Sequence, residues 1–190
     1  SMDRAMRMIA DARRLEIYAV GHYGAVASDA QFKFLRVGVS AVAYTDPRLQ
    51  TLSAQLLRPE DVVLIISSSG RIAELLAVAE AAQERGAKVV AITESQSPLA
   101  RKADLALIVD HVEDIATQVP MISRILHLLM VDILVVGVTL HRGTSVPALG
   151  SDATMGLDEV APGQATSGAR RKAPGVSAAG PLAHLTSHSR

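Results

Sequence analysis

Residues 64–76 read LIISSSGRIAELL, so Ser67, Ser68, Ser69 and Gly70 stand between an apolar run and a helical pattern. Serine hydroxyls donate hydrogen bonds, and glycine lets the backbone come close to a ligand. A helix N-terminus adds unpaired N–H groups and partial positive charge. Together these features suit a phosphate group. The same letters also suit a plain turn in which Ser68 or Ser69 caps the following helix. A serine nucleophile is not indicated, because no base with an orienting acid is evident beside the loop.

The elements around the loop say where such a site would lie. The pattern predicts strands at 15–20, 39–44, 62–67, 88–93 and 105–110. Helices are expected over 3–14, 26–38, 45–57, 71–85 and 97–103, with Asp46 and Pro47 as an N-cap and N1 pair. The strands are short apolar runs, the mark of parallel strands covered on both faces. Alternation of strand and helix then predicts an α/β fold, a three-layer α/β/α sandwich around a five-stranded parallel sheet. In such a sheet ligands sit at the carboxyl ends of the strands, where 67–70 lies.

A last apolar segment, 117–140, holds a 16-residue core from Ile125 to Leu140 interrupted by His127 and Asp132. It is short for a membrane span of about 20 residues. A long C-terminal helix that packs against more than one surface, including a second copy of the chain, is the expectation. His127 is expected to be a packed or interface residue.

Bulk composition excludes several classes. The formal net charge is zero, unlike the basic balance of a nucleic-acid-binding domain. There is no cysteine, so neither disulfides nor thiolate metal sites are available, which fits a cytoplasmic protein. The six histidines show no metal-ligand spacing, and no metal or other cofactor is expected. The N-terminal residues lack an apolar signal core. From Gly143 onward the chain is rich in Gly, Ala, Ser, Thr and Pro and carries seven of the thirteen glycines. The expected organisation is therefore one folded domain over 1–142 and a disordered low-complexity tail over 143–190.

The serine loop resembles the S-x-S-G-x-T loop of SIS (sugar isomerase) domains. The stretches DAQFKFLRVGVSAVAYTDPRLQ (29–50), SPLARKADLALIVD (97–110) and VPMISRILHLLMVDILVVGVTLHRG (119–143) resemble the C-terminal effector domain of RpiR/HexR-type bacterial transcription regulators. The resemblance spans nearly all of 3–143 and implies the SIS fold. It further implies non-catalytic sensing of a sugar phosphate or phosphorylated sugar acid, such as 2-keto-3-deoxy-6-phosphogluconate, in the control of carbohydrate catabolism. A homodimer is implied too. DNA binding would belong to a helix-turn-helix domain, which the chain does not contain.

By that resemblance Ser67, Ser68, Ser69 and Gly70 would hold the phosphate. The family's first loop reads G-x-G-x-S, and its counterpart here is Ala19-Val20-Gly21-His22-Tyr23, with Tyr23 in place of the serine. Ile72 stands where the second loop has threonine. Each change removes a hydroxyl; Tyr23 either compensates with its own or fills the pocket, and His22 is a possible donor. An anionic ligand asks for cations: Arg71 is a candidate to meet it or to be a solvated helix-start residue, Arg124 either faces the pocket or pairs with an acid, and Lys33 reads as a surface residue. Ser123 donates either to ligand or to backbone. The alternatives to a sensor are a phosphosugar isomerase using Glu113 or His111 for proton transfer, and a degenerate domain kept for dimerisation.

Overall fold

The computed structural model describes residues 1–111 and 121–143. The expected tail beyond Gly143, and Glu113, lie outside the described residues. Helix α1 covers Met2–Asp11 and leads into β1, Arg14–Tyr18. A single 3-10 turn, Gly21–Tyr23, opens α2, Gly24–Arg36. Then follow β2 (Ala41–Tyr44), α3 (Pro47–Ala54), β3 (Asp61–Ile66), α4 (Ala73–Glu84), β4 (Lys88–Thr93), α5 (Pro98–Lys102) and β5 (Leu105–Ile108). Helix α6, Ile122–Arg142, closes the described part.

All five strands run parallel in the order 2-1-3-4-5, with Ile17 of β1 opposite Ala43 of β2 and Leu64 of β3. Side chains alternate across the pleat and build two cores. Leu15, Ile17, Leu64, Ile66 and Ile92 face α1, α2 and α6. Val63, Ile65, Val89 and Ala91 face α3, α4 and α5. The central strand β3 is buried throughout, which is why its sequence is continuously apolar rather than alternating.

The local signals for α3 act as the sequence predicts. Asp46 Oδ1 accepts from the Arg48 and Leu49 amides at 2.8 and 3.1 Å, and Pro47 takes the first helical position. The expected start of α4 is corrected. The helix begins at Ala73 with Ile72 at the N-cap, not at Arg71 behind a serine cap. Gly70 takes a left-handed conformation (φ +57°), which interrupts any helical path from the serines, so Ser67–Arg71 form a loop of their own.

Helix α6 buries Ser123, His127, Val131, Leu134, Gly137 and Val138 against the domain, including α1 and α2. It is long and apolar enough to cross a membrane by length and composition, yet one face belongs to the domain core.

A buried glutamine ties the strand ends together. Gln50 Nε2 donates to the carbonyl oxygens of Ala19 at 2.9 Å and Tyr44 at 2.7 Å, joining the loops that leave β1 and β2. Gln50→Ala should therefore leave two carbonyls poorly satisfied and open a small cavity, with an expected loss of about 2–4 kcal/mol in denaturant unfolding.

Candidate functional site

A parallel sheet in the order 2-1-3-4-5 has its switch point between β1 and β3, where connections leave to opposite faces and a crevice opens. A cavity of about 390 Å³ lies there. Its walls come from the loop after β1 (Val20, Gly21, His22, Tyr23), the loop after β3 (Ser67, Ser68, Ser69, Ile72), Glu94 after β4, His111 after β5 and Ser123 at the start of α6. Two larger surface hollows lie elsewhere, beside α4 and α5 and beside α1 and α6. Neither gathers side chains from the loops that follow the strands.

The β3 loop is held from within and from β4. Ser67 Oγ accepts from the Gly70 amide at 3.3 Å, and Ser69 Oγ accepts from the Arg71 amide at 3.4 Å. The Ser68 carbonyl accepts from the Glu94 amide at 2.9 Å and from Thr93 Oγ1 at 3.0 Å. Ser68 Oγ donates to Glu94 Oε1 at 2.6 Å. Gly70 packs where no side chain fits: a Cβ there would lie 2.6 Å from both Ser97 Oγ and Thr93 Oγ1. The β4 loop is pinned on its other side by Asp110, whose Oδ1 accepts from the Ser95 amide at 2.7 Å. That bond holds the Asp110 carboxyl below the ordinary carboxylate range.

The structure thus brings Ser67, Ser68, Ser69, Gly21, His22, Tyr23 and Ser123 to one cavity. It places Arg71 outside the lining, exposed, with its guanidinium on the Ser69 carbonyl at 3.2 Å. Arg124 is exposed on the first turn of α6 and does not line the cavity. Lys33 bridges Asp29 (2.7 Å) and Asp132, linking α2 to α6 rather than meeting a ligand. Gly70 shapes the loop from beneath. Among the described residues the lining holds no arginine or lysine.

Tyr23 is 6% exposed, and its ring packs between His22 (centroids 4.1 Å apart) and His127 (4.9 Å). Its ring therefore forms part of the wall where the related loop would carry a serine. Beneath it His127 is fully buried, with Nδ1 2.6 Å from the Ser123 carbonyl. A carbonyl can only accept, so Nδ1 carries the proton and Nε2 presents a bare lone pair, for which the described residues supply no partner. Burial depresses the His127 pKa below its usual 6.5.

Glu94 is the lining residue that sequence reasoning missed. It directly follows β4, and the strand-end rule that drew attention to 67–70 applies equally to that position.

Fold and cavity together define a parallel α/β domain with a cavity at the strand ends, the place where this architecture binds small molecules. A family model described as "SIS domain" matches residues 8–137, and the chain belongs to that family. It is 48% identical over 144 residues to "Bifunctional protein glk" of Burkholderia orbicola, a match that covers 76% of this chain and 22% of that protein. It is 39% identical over 142 residues to the transcriptional regulator HexR of Pseudomonas aeruginosa, covering 75% of this chain and 50% of the regulator. The chain thus spans about a fifth to a half of the curated relatives it matches.

Among solved structures, Vibrio vulnificus NanR complexed with ManNAc-6P superposes with a TM-score of 0.68 at 25% identity, over 74% of this chain and 53% of that one. The sugar isomerase domain of an RpiR transcription factor from Sphaerobacter thermophilus shares the fold, with a TM-score of 0.67 at 23% identity over 74% and 78% of the two chains.

Because the folded state resists protonating His127, acid should favour unfolding below about pH 6.5, where the unfolded chain takes up the proton. In His127→Gln the fall in unfolding free energy between pH 6.5 and 5 should be shallower by up to one proton. Denaturant titrations across that range would measure it.

Proposed function

We propose that this chain is the sugar-phosphate-sensing domain of a bacterial transcription regulator of the RpiR/HexR type, controlling carbohydrate catabolism from the cytoplasm. The observation that carries the reading is the cavity at the β1/β3 switch point, with three consecutive serines on its wall. Ser67 and Ser69 use their oxygens to accept backbone amides, which leaves each hydroxyl proton to donate to a phosphate oxygen. The likeness to HexR, and to a NanR complexed with ManNAc-6P, supports the ligand class. Candidates range from hexose 6-phosphates to phosphorylated sugar acids such as 2-keto-3-deoxy-6-phosphogluconate. No step of bond making is assigned to the domain.

The outward face of α6 supports a homodimer. Ile122, Ile125, Leu129, Ile133, Val136 and Leu140 are all 41–77% exposed and recur at helical spacing. Two such stripes would cover each other, and DNA contact would fall to a helix-turn-helix domain outside this chain. The likeness to the longer glk proteins fits a sensing module carried within larger architectures.

His111 on the cavity wall gives the isomerase alternative a specific foothold. Aldose–ketose conversion of a bound sugar phosphate, abolished in His111→Ala, would replace the sensor reading with that one.

Thermal unfolding against a panel of sugar phosphates, phosphorylated sugar acids and inorganic phosphate tests the reading. A ligand at a hundred times its Kd should add about 2.7 kcal/mol and raise Tm by several degrees. Ser67→Ala or Ser69→Ala should weaken binding roughly ten- to a hundredfold, the cost of one hydrogen bond to a charged group. A flat panel with the dimer intact would point to a domain kept for dimerisation, its site narrowed by Tyr23 and Ile72. For the dimer, Leu129→Glu with Val136→Glu should shift the sedimentation coefficient from dimer to monomer while the Tm transition stays cooperative.

A further inference from the structure

We propose that Glu94 determines the specificity of this pocket: its carboxylate, bound to Ser68, favours sugar phosphates that offer a hydroxyl or amino donor there and disfavours those that carry a second anion. The proposal rests on the sugar-phosphate reading above and narrows its ligand class.

The argument begins with a proton. Ser68 Oγ donates to Glu94 Oε1 at 2.6 Å, a short charge-assisted bond. A hydroxyl has one proton, so Ser68 presents only oxygen lone pairs to a ligand while that bond stands. Glu94 itself is acceptor-only when ionised. The Ser68–Glu94 side of the cavity therefore accepts and does not donate, in contrast to Ser67 and Ser69, whose oxygens receive the Gly70 and Arg71 amides and whose protons remain to donate. The cavity has a phosphate-holding side and a donor-reading side.

The backbone that carries the carboxylate is held in place. Its own amide is bonded to the Ser68 carbonyl at 2.9 Å, and Thr93 Oγ1 reaches the same oxygen. The next residue, Ser95, is held by Asp110, which adds negative charge to the same loop. Gln96 follows with a left-handed backbone (φ 57°), a conformation that non-glycine residues adopt only where the surrounding structure holds it. Among the described residues no arginine or lysine lines the cavity to offset Glu94. Among the described residues the other ionisable groups on the wall are His22, Tyr23 and His111. A ligand carboxylate beside Glu94 would meet like charge, whereas a hydroxyl or ammonium would supply a donor to it.

Calorimetric titration of the full chain at pH 8 tests this with three ligands that share a phosphate: glucose 6-phosphate, glucosamine 6-phosphate and 6-phosphogluconate. The wild type should bind the sugar acid at least tenfold more weakly than glucose 6-phosphate. Glu94→Gln keeps an acceptor for Ser68 and removes the charge. It should shrink that ratio to within about threefold, by gaining affinity for the acid, and should lose any preference for the amino sugar. The change in ratio carries the test, because differences in ligand shape affect both proteins alike. A Tm within about two degrees of wild type would show that Glu94→Gln is folded. Equal binding of acid and neutral sugar by the wild type, or a ratio unchanged in Glu94→Gln, would overturn the specificity while leaving the sensor standing. Binding of none of the three by either protein would instead overturn the sensor reading, and the specificity with it.

Discussion

The carbonyl oxygen of Ser68 holds the site together. It accepts from the Glu94 amide and from Thr93 Oγ1, so the loop after β3 cannot be placed without the loop after β4. Gly70 completes the junction. Its missing side chain leaves room for the Thr93 and Ser97 hydroxyls, which lie 3.0 Å apart, and Ser97 in turn caps α5 through the Ala100 amide. A cluster of small hydroxylated residues thus does two things at once. It satisfies buried backbone groups, as any interior must, and it fixes the loop on which Ser67 and Ser69 line the crevice.

The polarity of the two sheet faces differs, and this affects the site. On the face toward α1, α2 and α6 the packing is apolar up to Tyr23, so hydrophobic side chains back that wall of the cavity. On the other face a buried network carries charge. Glu16 is 1% exposed, accepts from Tyr18 at 2.5 Å and Ser53 at 2.9 Å, and pairs with Arg14 at 2.9 Å. Burial, with the Glu16 carboxylate beside it, pushes the Tyr18 hydroxyl far above its usual pKa and keeps it a donor. A buried carboxylate needs such partners, and they fix α3 against β1. Gln50 on the same helix then sets the exit of β1, so the network reaches the crevice through α3 rather than through the sheet.

Helix α6 works on two sides. Its inner face completes the core, and the close approach of α1 depends on Gly137, where a Cβ would lie 2.2 Å from Met6 Sδ. Its N-terminal turn supplies Ser123 to the cavity wall, and His127 one turn later anchors that turn by binding the Ser123 carbonyl. Its outer face remains apolar and exposed. Cavity wall and proposed dimer face therefore lie on a single helix, the geometry a sensor needs if ligand and assembly are to influence each other.

What the sequence by itself determined is the architecture: continuous apolar runs for covered parallel strands, alternation of strand and helix, and punctuation such as Asp46-Pro47. Those signals are local, since periodicity and capping depend on residues a few positions apart. The serine loop was legible for the same reason. The partners of that loop were not. Glu94 is 26 positions from Ser68 and meets it only because β3 and β4 are neighbours in register, with Ile66 opposite Ile92. Arg71 and Arg124 carry the charge an anion site would want, yet the left-handed turn at Gly70 and the orientation of α6 leave both in solvent. The start of α4 moved for a related reason: the serines' oxygens are spent on the Gly70 and Arg71 amides within the loop. Tertiary structure alone decided which polar groups face the crevice, because strand register and loop conformation, not residue type, set the direction of each side chain.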